Sequence, residues 1–251
     1  MASGGASPAL STNNGSSTPS VPGLSPLNPA STPITKICVF MGASPGKSPA
    51  HMEAAAALAE VMHANNIHLV YGGGTVGLMG QLARKLVELS GPDSVHGIIP
   101  APLVKYERGP EESAKESNDV SGILPDPLSY GKTTVVKDMH TRKHMMAQEV
   151  LAGGPGSGFI ALTGGYGTLE ELMEVVTWNQ LGIHNKGIVA LNIEGYWDGL
   201  LSWIKTSVET GFVGEGNANI IVEAKTPEDA IKCLRDYKSA AGRFKLKWDS
   251  S

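Results

Sequence analysis

Apolar positions along this chain fall into two alternating kinds of run. Short runs at Ile34–Met41, Ile67–Tyr71, Val95–Ile99, Thr133–Val136, Phe159–Leu162, Gly187–Asn192 and Ile220–Glu223 have the length and composition of strands, with Phe159–Leu162 that of a strand buried on both faces. Between them lie stretches whose apolar residues recur every three or four positions, as on one face of a helix. These helices are predicted at Pro49–Asn65, with an alanine-rich middle (Ala54–Ala57), and at Leu78–Leu89, which stops at Ser90-Gly91-Pro92. Further ones are predicted at Asp138–Leu151, from Leu169 onward (Leu169, Leu172, Met173, Val176 on one face), at Trp197–Thr210 and at Pro227–Tyr237. Thr226 is placed to cap the last, with Pro227 at its first position. Strand and helix alternate almost throughout. The pattern predicts a single α/β domain over residues 34–238, a Rossmann-like doubly wound parallel sheet with helices on both faces.

Four segments fall outside this pattern. Residues 1–33 are Ser, Thr, Pro, Gly, Asn and Ala with almost nothing to bury, and are expected to be a disordered tail with neither a signal-peptide nor a presequence pattern. Residues 102–129 are polar and proline-containing, an excursion over the surface that is either a lid or an ordinary long loop. Residues 152–158 (AGGPGSG) are a flexible join. Residues 239–251 are a polar C-terminal tail, expected to fray.

Composition narrows the function classes. The net charge is −4 with no basic cluster, so nucleic acid is not the expected partner. No apolar run reaches the length of a membrane span. The two cysteines, Cys38 and Cys233, carry no disulfide or metal signal and fit a reducing, cytoplasmic setting.

The chemistry concentrates where strands end. Glycine turns come after three strands, at Gly42–Gly46 (with Ser44), at Gly72–Gly77 (with Gly73 and Gly74) and at Gly164–Gly167. In a parallel sheet these gather at the carboxyl edge, where such folds bind ligands. None fits the dinucleotide fingerprint or the P-loop spacing; Gly42-x-x-x-Gly46-Lys47-Ser48 is one residue short. A small phosphorylated ligand fits better than NAD or ATP. The third turn, Thr163-Gly164-Gly165-Tyr166-Gly167-Thr168, opens a helix, so its free N–H groups and the helix dipole favour an anion. Glu170 and Glu171 are expected in that helix's first turn, as dipole partners or, for Glu171, within reach of the ligand.

The run Asp138-Met139-His140-Thr141-Arg142-Lys143-His144 is a second constellation. Arg142 and Lys143 are neighbours, about 100° apart on a helix. Either both are solvated, or Arg142 turns inward, where its guanidinium can hold a carboxylate or phosphate through two donors. His140 and His144 stand four apart with no third ligand at a matching position, so a metal site is not expected.

TGGYGTLEE, with ELMEVVTWNQLGIH after it and DMHTRK and YGGGTVGLMG before it, resembles the LONELY GUY family over roughly Ile34–Asp236. Members are cytokinin riboside 5′-monophosphate phosphoribohydrolases, often mislabelled as lysine decarboxylases. The resemblance implies hydrolysis of the N-glycosidic bond between ribose 5′-phosphate and an N6-substituted adenine, with no cofactor. It implies Arg142 and Glu171 as the catalytic pair, and Lys143, the turn Gly164, Gly165, Tyr166, Gly167, Thr168, Leu169 and Glu170, and Thr177 as substrate-contacting positions. A homodimer is implied as well. Three departures stand out: Thr163 replaces the proline of the signature PGGxGTxxE, Pro100-Ala101-Pro102-Leu103 replaces a P-R-E-I segment, and the 102–129 and 152–158 segments are long. A nucleotide-binding sensor would need the glycine turn but not the carboxylate. A pyridoxal-phosphate lysine decarboxylase would need a Schiff-base lysine, for which only Lys143 and Lys132 are near.

Overall fold

The computed structural model describes residues 1, 2, 4, 5, 33–106 and 124–248. The expected tail lies almost entirely outside the described residues, as do residues 107–123 of the surface excursion. Two compact units divide the chain, Met1–Thr32 and Pro33–Ser251, and every described strand and helix belongs to the second.

Seven parallel strands form one sheet in the order β4-β3-β2-β1-β5-β6-β7. They are β1 (Lys36–Phe40), β2 (His68–Tyr71), β3 (Val95–Pro100), β4 (Lys132–Val136), β5 (Gly158–Ala161), β6 (Gly187–Leu191) and β7 (Ile221–Ala224). The unbroken apolar runs sit in the middle: β5 and β6 are buried along their whole length, while edge strands β4 and β7 admit polar residues. Helices α1 (Pro49–Ala64), α2 (Gly77–Ser90) and α7 (Pro227–Arg235) pack into one core against one face. Helices α4 (Met139–Leu151), α5 (Tyr166–Gln180) and α6 (Asp198–Glu209) pack against the other. A single turn, α3 (Pro127–Tyr130), precedes β4.

Local signals set most boundaries. Ser48 caps α1, its Oγ accepting from Ala50 N–H at 3.3 Å, with Pro49 as the first helical residue. Ala54, Ala55 and Ala59 are buried, so small side chains let α1 approach its neighbours closely. Thr226 caps α7 as expected, accepting from Asp229 N–H at 3.2 Å. Asp138 is the cap of α4 and not its first residue, accepting from Thr141 N–H at 2.7 Å.

Residues 239–248, expected to fray, are tied to the C-terminal end of α5. Phe244 N–H donates to Gln180 O at 2.8 Å, Arg243 Nε to Asn179 O at 2.7 Å, and Trp248 Nε1 to Leu181 O at 3.1 Å. Terminal helix carbonyls have no partner within their own helix, and this segment supplies one. Sequence periodicity is blind to it because polar side-chain and backbone donors make these bonds and no apolar face does.

His184, just beyond α5, is a buried neutral imidazole. Its Nε2–H donates to Val175 O at 2.9 Å and its Nδ1 accepts from Lys186 N–H at 3.1 Å. Burial, seconded by the nearby Arg243 and Lys186 charges, pushes its pKa from 6.5 down to about 4 against the contrary pull of the Val175 carbonyl. The unfolded chain therefore binds this proton more readily than the folded one. Stability from this group is complete above pH 6.5 and is lost as pH falls towards 4, by about 3 kcal/mol in all. Urea midpoints are expected to drop through that window, and less steeply in His184→Gln. Parallel pH profiles for the two proteins would contradict the assignment.

Candidate active site

Because all strands are parallel, the loops after β1, β2, β5 and β6 share one edge. β1 and β5 are adjacent, and the chain leaves them in opposite directions, so the crevice of this doubly wound sheet opens there. The first and third glycine turns meet in it. Gly42 N–H donates to Thr163 O at 2.9 Å, and a Cβ on Gly42 would stand 3.4 Å from the Gly164 Cα. A Cβ on Gly164 would meet the Thr168 Oγ at 2.1 Å, so only glycine lets the buried Thr168 pack beneath the turn.

Helix α5 starts three residues earlier than its apolar period suggests. Gly165 is its cap and offers no side chain to the first N–H groups. A Cβ at Gly165 or Gly167 would meet nothing within 4 Å, so these N–H groups border open space, as an anion site requires. The earlier start moves Glu170 and Glu171 out of the first turn, which holds no acidic residue. Neither is a dipole partner. Leu169, expected on the apolar face, is 37% exposed, and Thr168, Glu171, Leu172 and Val175 are buried instead.

Arg142 turns inward. It and Glu171 are both buried, with Arg142 Nη2 3.6 Å from Glu171 Oε1. The guanidinium reaches this place across Gly72, where a Cβ would lie 1.9 Å from Nη2. Directly beneath, burial in β1 and the negative charge of Glu171 push the Cys38 thiol well up, against a smaller downward pull from Arg142. The thiol stays protonated and takes no part as a nucleophile. A carboxylate held in low dielectric against a fixed cation is poised to stabilise positive charge on a ligand.

The other expected residues distribute unevenly. Gly42, Ser44, Gly164 and Gly165 line a cavity of about 540 Å³ together with Lys47, His51, Leu78 and Tyr196. This cavity lies on the α1 side of the turn, and neither Arg142 nor Glu171 lines it. Tyr166 is 95% exposed at the mouth of the turn. Gly73 adopts a positive φ of 79° and packs on Ile98 and Ile99, with Gly74 buried beside it, so these two shape the backbone after β2. Thr177 is exposed on α5, its hydroxyl donating to Met173 O at 2.8 Å. Lys143 points away from Arg142 and is held by Glu170 and, at 3.1 Å, by Glu174. Burial lowers its pKa, but those two carboxylates outweigh burial and leave it raised. His140 and His144 are both exposed. Gly72 is marked in the sequence only as a member of the second glycine turn, and no spacing rule picks out His51 or Tyr196.

The family described as "Possible lysine decarboxylase" matches residues 79–234 of this chain, a span that includes the whole Arg142–Glu171 region. Cytokinin riboside 5′-monophosphate phosphoribohydrolase LOG3 of Arabidopsis thaliana is 41% identical over 85% of this chain and 89% of its own length. The chain belongs to the LONELY GUY family. Another LONELY GUY relative, the probable phosphoribohydrolase LOGL2 of Oryza sativa subsp. japonica, is 41% identical over 85% of this chain and 78% of its own. A "Bifunctional cytokinin biosynthesis protein" of Fusarium pseudograminearum is 53% identical, and there the match spans 84% of this chain but only 42% of the relative. Among solved structures, a molybdenum cofactor binding protein from Rippkaea orientalis superposes with a TM-score of 0.51 at 19% identity, covering 80% of this chain and 96% of that one. That likeness shows the LONELY GUY chain's fold alone.

Proposed function

We propose that this chain hydrolyses cytokinin riboside 5′-monophosphates, releasing the N6-substituted adenine and ribose 5-phosphate. The observation that carries this reading is the buried Arg142–Glu171 pair beside an open glycine turn, in a chain that shares its family with phosphoribohydrolases. The N–H groups at the start of α5 hold the 5′-phosphate. As the bond from C1′ to the purine nitrogen breaks, its electron pair leaves with the base and positive charge builds on the ribose ring. Glu171 stabilises that charge and takes a proton from the water that attacks C1′, and one proton passes to the departing purine so that neutral base is released. Arg142, with its Nη2 3.6 Å away, orients Glu171. Binding energy at the phosphate positions the remote glycosidic bond, so monophosphates are preferred over free ribosides.

Neither of the two lysines that the sequence offers for lysine decarboxylation fits. Lys132 opens β4 at the amino edge of the sheet, opposite the glycine turns. Lys143 carries a raised pKa between two carboxylates, the reverse of what a Schiff-base lysine needs. Purified protein given isopentenyladenosine monophosphate, isopentenyladenosine and lysine is expected to release free base from the first only. Release of carbon dioxide from lysine, without free base, would overturn the reading.

The same reading includes a homodimer in the cytoplasm. Met139, Leu169 and Tyr166 leave apolar surface exposed around the pair, and Trp178 is only partly covered. Light scattering at micromolar concentration is expected to give a dimer or a multiple of one; a strictly monomeric mass would refute it. Among the described residues no helix is long and apolar enough to cross a membrane.

A further inference from the structure

The family signature has proline where this chain has Thr163, and the exchange removes the ring that would fix φ at the mouth of the phosphate turn. The structure replaces it with a bond. Thr163 Oγ1 lies 3.0 Å from His51 Nδ1, and the other ring nitrogen, Nε2, faces the Glu194 carboxylate at 3.9 Å. The carboxylate favours the proton on Nε2, which leaves Nδ1 as acceptor and makes the threonine hydroxyl the donor. Glu194 is itself anchored, accepting from Ser48 Oγ at 3.1 Å, and Ser48 is the cap of α1. Glu194 also holds a φ of 53°, a conformation unusual for a residue other than glycine and maintained only where surroundings dictate it. One residue beyond Gly195, Tyr196 donates its hydroxyl to Gly164 O, on the same turn. The His51 side chain is only 12% exposed, and the loop passes close over its ring at Gly46.

A continuous path thus runs from the cap of α1 through Glu194 and His51 to Thr163, the residue before the two glycines that border the cavity. We propose that His51 is a positioning residue: through the Thr163 hydroxyl it holds the glycine turn in its phosphate-binding conformation, the task proline performs by covalent geometry. This deepens the phosphoribohydrolase reading and rests on it for the identity of the ligand. His51 need not touch the reacting atoms. Its removal acts on phosphate affinity and leaves the chemical step at Arg142 and Glu171 in place.

Thr163 N–H has no acceptor among the described residues, so proline can be restored there without loss of a backbone bond. That permits a rescue test. The affinity for ribose 5-phosphate is measured by calorimetry, which requires no turnover, in Thr163→Val, His51→Phe, their double variant, and His51→Phe combined with Thr163→Pro. Valine and phenylalanine roughly keep volume and remove the bond, and phenylalanine also gives up the ring's contact with Glu194. Each single variant is expected to bind about fivefold more weakly, the size of one neutral hydrogen bond, with KM for isopentenyladenosine monophosphate rising in step and kcat within about twofold. The double variant is expected to be no worse than either single one, because both remove the same contact. The proline combination is expected to return to within about twofold of the unsubstituted protein. Unchanged affinity in the single variants, multiplied losses in the double, or failure of proline to restore binding would each overturn the proposal. If the unsubstituted protein binds ribose 5-phosphate yet releases no base, the hydrolase reading fails while the His51–Thr163 coupling is still measured.

Discussion

Glu171→Gln is expected to lower the turnover of isopentenyladenosine monophosphate by roughly a hundredfold or more. The amide keeps the shape of the carboxylate and loses the charge that opposes the developing positive ribose. Ribose 5-phosphate affinity should stay within about twofold, since the turn proposed to bind the phosphate is not touched. The substitution also leaves Arg142 buried without its countercharge, which costs stability, so rates must be compared well below the variant's melting temperature. Glu170→Gln is the control. Glu170 is half exposed and engaged with Lys143 on the outer side of α5, and exposed ion pairs contribute little; less than about a threefold loss is expected. Near-normal turnover in Glu171→Gln would remove the carboxylate from the mechanism.

Gly72→Ala is expected to be almost as damaging to turnover while sparing the fold. Gly72 is not among the glycines with positive φ, so its backbone accepts alanine. The new methyl would occupy the space of the Arg142 Nη2, the far end of a flexible side chain. The guanidinium has to swing away, and in doing so it leaves Glu171 buried without its countercharge, at a cost in stability. Loss of a positioned charge in a dry site is worth about a hundredfold in rate, and rates are again compared well below the variant's melting temperature. In an Arg142→Ala background the same glycine substitution should add nothing, because the group it displaces is gone. A further large loss there would mean that Gly72 acts through something other than Arg142.

Glu171 and Gly72 differ in how far the sequence exposes them. Glu171 stands out because it comes after a glycine turn at helical spacing. Its true position, one turn deeper, does not, because Tyr166 and Gly167 read as turn residues and only the packing of Thr168 under Gly164 shows that the helix has already begun. The choice between a solvated and an inward Arg142 is open in the sequence for a similar reason. Adjacent cations on a helix look alike until a neighbouring surface takes one of them, and here Gly72 lies on a different strand loop. Alternating apolar runs make the strands legible, since burial on both faces leaves a continuous signature. The Glu194–His51–Thr163 path leaves none, because its three members are brought together only by the order of strands. The C-terminal segment reads as polar for lack of a periodic face, although the Phe244 backbone and the Arg243 and Trp248 side chains bond to the end of α5.

The strand order also makes the site a late event in the life of each molecule. Helix α4, which carries Arg142, is the connection from edge strand β4 back to central strand β5, and α5, which carries Glu171, begins only after β5 is in place. Pairing of β5 with β1 joins residues as distant in sequence as Ile37 and Gly158. Contacts of such long range close a large loop before they are rewarded, and they form slowly. The sheet from β1 to β4 is assembled from neighbours in sequence and holds no carboxylate opposite its arginine. In the proposed reaction no base can be released until the two halves of the chain have met.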